Sequence, residues 1–175
     1  SLIASNAAAE VLIHNFDRSK KSFANSFGKT IFLDIIKPAK SFVMFHLINQ
    51  VLIRTDWDIV TLDRLDYSGN LNRLHDLLQD RTPAERKRVR TIFHDLKAEI
   101  NPMLEADIGP VDIIAHLAAG SHVDRSIDRP MEFVMDNVVG TANLLDYGRR
   151  QDNLERFLYF STDEVFGPAP EGVKY

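Results

Sequence analysis

Short runs dense in β-branched and aliphatic residues alternate along this chain with longer stretches whose apolar positions recur at helical spacing. No other feature restricts the fold as strongly. The runs are Ile31 to Ile36, Trp57 to Asp63, Val89 to Leu96, Val111 to Ala119 and Arg156 to Phe160. Between them, Ser41 to Ile53 carries a stripe through Phe42, Phe45, Ile48 and Leu52, and Leu71 to Leu78 reads as a short helix. Asn101-Pro102 opens another, since proline suits a helix's first turn. Pro130 starts the longest, reaching about Arg150 with Phe133, Val134, Asn137, Val138, Thr141, Leu144 and Leu145 on one face. Strand alternating with helix predicts an α/β fold: a doubly wound, Rossmann-like parallel sheet in three α/β/α layers, with ligands outside the carboxyl ends of the strands. Residues 1–30 are left as an N-terminal arm, and 31–175 form the sheet domain. Asp34 is out of place in its apolar run.

Composition narrows the function. The 175 residues, 45% hydrophobic, suffice for one core. A formal charge of -4 leaves no basic excess for nucleic acid or an anionic membrane. Arg81 to Arg90, the one basic cluster, reads as a solvated connection. With no cysteine there are neither disulfides nor thiolate ligands, and the six histidines lack paired metal-ligand spacing, so no metal is expected. The longest apolar stretch is too short to span a bilayer and the N-terminus lacks a secretory pattern, so a cytoplasmic setting is expected.

Chemistry concentrates where strands end. After Phe157-Leu158-Tyr159-Phe160 comes Ser161-Thr162-Asp163-Glu164. Two adjacent carboxyls in unequal environments can divide into a proton donor and a proton acceptor. A turn capped by Thr162 with solvated acids is the competing reading. Asp63 closes the second run, where a dinucleotide fold places a carboxylate on the adenosine ribose; a strand-ending aspartate also suits an Asx turn. Asp95 ends the third run and has the same two readings. Ala118-Ala119-Gly120 lacks side-chain bulk, which admits a planar cofactor or tight strand-to-helix packing.

Four blocks carry a resemblance: Leu62 to Asn70, His116 to Ser126, Asn137 to Thr141, and Ser161 to Gly167. In this order and spacing the chain resembles the extended short-chain dehydrogenase/reductases and, within them, the nucleotide-sugar 4,6-dehydratases, most closely the branch acting on dTDP-glucose. Epimerases and decarboxylases of the same superfamily usually lack an acid at the position of Asp163. The resemblance implies bound NAD and a nucleotide-sugar substrate. It implies that Glu164 removes the proton from sugar carbon 5, Asp163 protonates the departing hydroxyl, and Thr162 hydrogen-bonds the sugar. Phe42, Val43, Asp63, Arg64, Leu65, Asp66, Asp95, Leu96, Leu117, Ala118, Ala119 and Ser121 would hold NAD, with Ser121 also facing the substrate. The helix from 130 to 150 would pair with its copy in a homodimer.

Two departures accompany this resemblance. Pro38, Ser41 and Met44 stand where the family has three glycines, so the turn that cradles the pyrophosphate is altered. The tyrosine and lysine of the family's YxxxK pair would lie beyond Tyr175, so the 175 residues alone are expected to be catalytically incompetent. An epimerase or decarboxylase, and a non-catalytic remnant serving as an interaction module, are the alternatives.

Overall fold

The computed structural model describes residues 28–35, 38–64, 71–120 and 123–161. Its strands are β1 (Thr30–Ile35), β2 (Asp58–Asp63), β3 (Val89–Phe93), β4 (Ile113–His116) and β5 (Arg156–Tyr159). The helices are α1 (Pro38–Arg54), α2 (Leu71–Gln79), α3 (Pro83–Lys87), α4 (Pro102–Ile108), α5 (Val123–Asp128), α6 (Pro130–Val134) and α7 (Gly140–Arg149). A π-helical turn, Met135–Val139, joins α6 to α7. All strands are parallel, in the order β3-β2-β1-β4-β5. The chain runs outward from β1 to β3, then returns to β4 on the other side. That reversal opens a crevice between the ends of β1 and β4, the switch point of a doubly wound fold.

Alternation along the strands builds two cores. Ile31 and Leu33 face α1, whose Val43, Met44, Leu47, Ile48 and Val51 recur at helical spacing and are buried. Phe32 faces the other way, toward Leu144 and Tyr147 of α7. Each fully buried aliphatic or aromatic side chain contributes roughly 1.5–3 kcal/mol. Helices therefore cover both sheet faces, giving the three layers that the alternation predicts.

The elements end where side chains divert the backbone bonding. α1 closes when the Thr55 hydroxyl donates to the Val51 carbonyl at 2.7 Å. β3 stops at Phe93 rather than Leu96 because the Asp95 carboxylate accepts the Lys97 amide at 3.0 Å, forming a turn. β4 stops at His116, because the next two amides bond to a side chain instead of a neighbouring strand. Asn101 caps α4 by accepting the Leu104 amide at 2.9 Å, with Pro102 in the first position.

Several expectations are corrected. The basic segment 81–90 is not a plain connection. Thr82 and Glu85 form a reciprocal capping box that starts α3, and β3 opens at Val89, where the apolar run begins. The Glu85 carboxyl is held below its ordinary range by its hydrogen bonds with Thr82. α5 adds a helix that the apolar periodicity does not announce. The apolar residues of the 130–149 helix form two neighbouring stripes, not one face. Asn137, Thr141 and Leu144 turn inward, while Met131, Val134, Val138 and Leu145 are exposed. At the start of the described residues, Lys29 Nζ contacts both Glu155 carboxylate oxygens at 2.6 and 2.5 Å, and the Thr30 amide donates to Asp112 at 2.7 Å. Among the described residues no helix is long and apolar enough to cross a membrane.

Candidate functional site

Parallel pairing brings the carboxyl ends of all five strands to one edge. Ile35 pairs with Asp63, Asp63 with Phe93, and Asp34 with His116, which pairs with Tyr159. The segments that leave the strands therefore converge on the crevice.

Asp63 is the last residue of β2 and only 7% exposed. Its backbone carbonyl accepts the His94 amide at 3.0 Å, tying the end of β2 to the segment after β3. Asp63 ends the strand next to β1, the position at which a dinucleotide fold places a carboxylate for vicinal hydroxyls. Arg64 follows, and its guanidinium bonds the Asp136 carboxylate of the π-turn at 2.7 Å. Lys97 lies 3.2 Å from Asp95 and 3.7 Å from the same Asp136 oxygen. Arg64 and Lys97 thus converge on Asp136 beside the ends of β2 and β3, and Asp95 makes the turn-capping bond of its neutral reading. Leu96 is buried, its carbonyl taking a 2.7 Å bond from the Asn143 side chain.

On the β4 side, the segment 117–120 is held from two directions. Asp34 is 1% exposed, and its Oδ1 accepts the amides of Leu117 at 2.6 Å and Ala118 at 3.1 Å. Its Oδ2 contacts His116 Nδ1 closely. His116 Nε2 lies 2.8 Å from the Thr141 hydroxyl, which donates to the Asn137 carbonyl at 2.6 Å. Asp34, His116, Thr141 and Asn137 thus form one continuous hydrogen-bonded chain from β1 through β4 to the long helix. These bonds satisfy both buried side chains, which offsets the cost of placing polar groups in a core. From above, the Asn137 amide embraces Gly120, accepting its N–H at 2.5 Å and donating to its carbonyl at 3.2 Å. Glycine is required there: a Cβ would come within 2.8 Å of the Phe133 ring.

These positions sort the residues expected from sequence. Asp63, Arg64, Asp95 and Leu96 lie together at the ends of β2 and β3, and Leu117, Ala118 and Ala119 follow β4. Leu117 and Ala118 bury their side chains in the two opposite cores. Val43 is buried beneath α1 in the apolar core. Phe42 lies in α1. Leu65, Asp66, Ser121, Thr162, Asp163 and Glu164 fall outside the described residues. Sequence reasoning did not assign Asp34 or Asp136. Each had a signal: a lone carboxylate inside an apolar strand, and one three residues after Phe133 on an inward helical stripe.

Comparison with known proteins places this geometry. The family model described as GDP-mannose 4,6 dehydratase matches residues 43–174. A dTDP-glucose 4,6-dehydratase of Salmonella typhimurium is 35% identical over 146 residues, 78% of this chain and 38% of that protein. A trifunctional UDP-glucose 4,6-dehydratase of Arabidopsis thaliana is 34% identical over 142 residues, with 78% of this chain and 20% of that protein covered. Among solved structures, a dTDP-glucose 4,6-dehydratase from Streptomyces venezuelae with NAD bound superposes with a TM-score of 0.63 at 30% identity, covering 82% of this chain and 42% of that one. A UDP-Glc/GlcNAc 4-epimerase from Campylobacter jejuni reaches the same TM-score at 25% identity, covering 80% of this chain and 39% of that one. The chain spans about two fifths of the length of the dTDP-glucose dehydratases it matches.

Proposed function

Because the chain belongs to the GDP-mannose 4,6-dehydratase family, we propose that it is the cofactor-binding portion of an NAD-dependent nucleotide-sugar 4,6-dehydratase, of the type acting on dTDP-glucose. The observation carrying this reading is the buried Asp63 carboxylate at the end of β2, beside the switch point. Its acceptor chemistry fits the adenosine half of NAD. Asp63 would take the ribose hydroxyls, Asp95 and Leu96 would border the adenine, and the 117–119 backbone would line the nicotinamide side. Arg64, Leu65, Asp66, Phe42, Val43 and Ser121 complete the set by family position.

The pyrophosphate end differs from a glycine turn. α1 opens on Pro38, which offers no amide hydrogen, and Met44 is a core residue at 1% exposure. Phosphates would meet the remaining amides of the α1 N-terminus, where the helix dipole favours an anion.

The chemistry supplied to this site by bound NAD would be reversible hydride transfer with the sugar. The remaining work falls to the chain. Thr162, Asp163 and Glu164 follow β5 in the sequence, and their roles come from family position. In this reading Thr162 anchors the sugar, Glu164 takes the carbon 5 proton, and Asp163 gives a proton to the leaving hydroxyl as water departs. Ser121 borders the same sugar. The three-residue sequence with two acids favours dehydration over the epimerisation of neighbours that share the sheet.

We also propose a homodimer through the 130–149 helix, whose Met131 and Val138 are 66% and 61% exposed on one outward stripe, and a cytoplasmic setting. Thermal unfolding tests the cofactor reading. A ligand at a hundred times its Kd adds about 2.7 kcal/mol of stability, so NAD should raise the midpoint dose-dependently. A midpoint unmoved by NAD at millimolar levels would refute the reading.

A further inference from the structure

Two separate anchors hold the backbone that follows β4, and one hydroxyl joins them. At its start, Asp34 Oδ1 accepts the Leu117 and Ala118 amides at 2.6 and 3.1 Å, while Oδ2 meets His116 Nδ1. At its end, the Asn137 side chain bonds both backbone groups of Gly120, at 2.5 and 3.2 Å. Thr141 stands between the anchors. Its hydroxyl lies 2.8 Å from His116 Nε2 and donates to the Asn137 carbonyl at 2.6 Å. The His116 ring is fully buried, with the Phe157 and Tyr159 rings 6.3 and 5.2 Å away by centroid, so it has little room to turn out of this bond. The helix is reshaped at the same place: the π-turn sets the Gly140 N–H on the Met135 carbonyl, and Thr141 bonds the carbonyl four residues back.

Joined bonds in a dry interior reinforce one another, so a segment pinned through one connected network moves as a unit. We propose that Thr141 is a positioning residue for residues 117–120: acting through His116 and Asn137, it locks the two anchors together and presets the shape of this backbone. The proposal rests on the reading that the segment lines the nicotinamide side of NAD. A lining already in shape has less ordering to lose when a ligand binds, so the hydroxyl contributes to affinity without touching the cofactor.

Thr141→Val, close in shape and lacking the hydroxyl, tests this in the full chain beside Thr141→Ser, which keeps it. Amide hydrogen exchange is followed by NMR without ligand, and NAD is then titrated calorimetrically. In Thr141→Val the Leu117, Ala118 and Gly120 amides should exchange about tenfold faster relative to the Val60 and Leu62 amides of β2, the order of one buried hydrogen bond. NAD affinity should fall by about tenfold as well. Thr141→Ser should stay within about twofold of the wild type in both measurements. Leu117 is the decisive amide, since three hydrogen bonds separate it from Thr141 and a merely local role would leave it unmoved. Thr141→Ala carries the same expectation if the valine variant does not fold. Exchange at Leu117 that is unchanged, that rises only in step with Val60 and Leu62, or that Thr141→Ser fails to restore overturns the proposal and leaves the cofactor reading intact. The expected exchange pattern in a chain that takes up no NAD overturns the cofactor reading and, with it, the role in binding.

Discussion

Asp34 bonds two backbone amides and a histidine from inside an apolar strand, and it decides where β4 ends. Without its carboxylate, the Leu117 and Ala118 amides and His116 Nδ1 would lose their partner in a dry interior. Asp34→Ala should therefore cost about 3–5 kcal/mol in urea unfolding, the scale for breaking a buried charged pair. Tyr147 makes the opposite case. Its ring packs 5.7 Å from Phe32, but its hydroxyl has no hydrogen-bond partner among the described residues. Burial, with Glu105 nearby, pushes its pKa well above the ordinary 10.0. A folded-state pKa above the unfolded one means stability present below about pH 10 and lost as pH rises beyond it. Tyr147→Phe should leave stability at pH 7 unchanged or raised by about 1 kcal/mol and remove part of the alkaline loss, read from denaturation midpoints between pH 8 and 11. At this scale the sequence was legible wherever a residue ended an element, as with Asp63. It was not legible for Asp34 or Asp136, because their partners lie 82 and 72 positions away and only the sheet order brings them together.

Strands and long helices follow from periodicity, since an apolar run or stripe has to be buried somewhere. Their ends do not, because ends depend on bonds such as Asp95 to Lys97 or Asp34 to Leu117 that periodicity does not record. α3 was missed although Thr82-Pro83-Ala84-Glu85 spells a capping box, its charged residues having been read as solvated chain. The first helix turns a missing motif into a structural property. Met44 fills the interface between α1 and the sheet, so Met44→Gly should not restore a glycine turn at no cost. It should destabilise by about 3–5 kcal/mol, a buried methionine lost plus a glycine inside a helix, measured by chemical denaturation. The outward stripe of the 130–149 helix makes a separate prediction. Val138→Asp should convert a dimer to a monomer in sedimentation velocity while shifting protomer stability by no more than about 0.5 kcal/mol, as expected for an exposed site.

The whole molecule was the most legible level. Five runs with intervening helices, read with right-handed crossovers, lead to one parallel sheet with a central switch point, which is the observed order. The crevice at that switch point is asymmetric. Asp63, Arg64, Asp95 and Lys97 stand at the ends of β2 and β3, both cations meeting Asp136, while the segment after β4 is clamped by Asp34 and Asn137. Charged strand ends next to a bulk-free backbone segment suit a ligand with a ribose at one end and a flat ring at the other. The central claim is that Asp63 seats the adenosine ribose of NAD in this crevice. Isothermal titration of NAD into the full chain and into Asp63→Ala tests it most directly. The expected result is saturable binding with a Kd at or below about 1 mM, weakened at least about tenfold by the substitution. A folded wild type that takes up no NAD, or an Asp63→Ala variant that binds it equally well, would contradict the account.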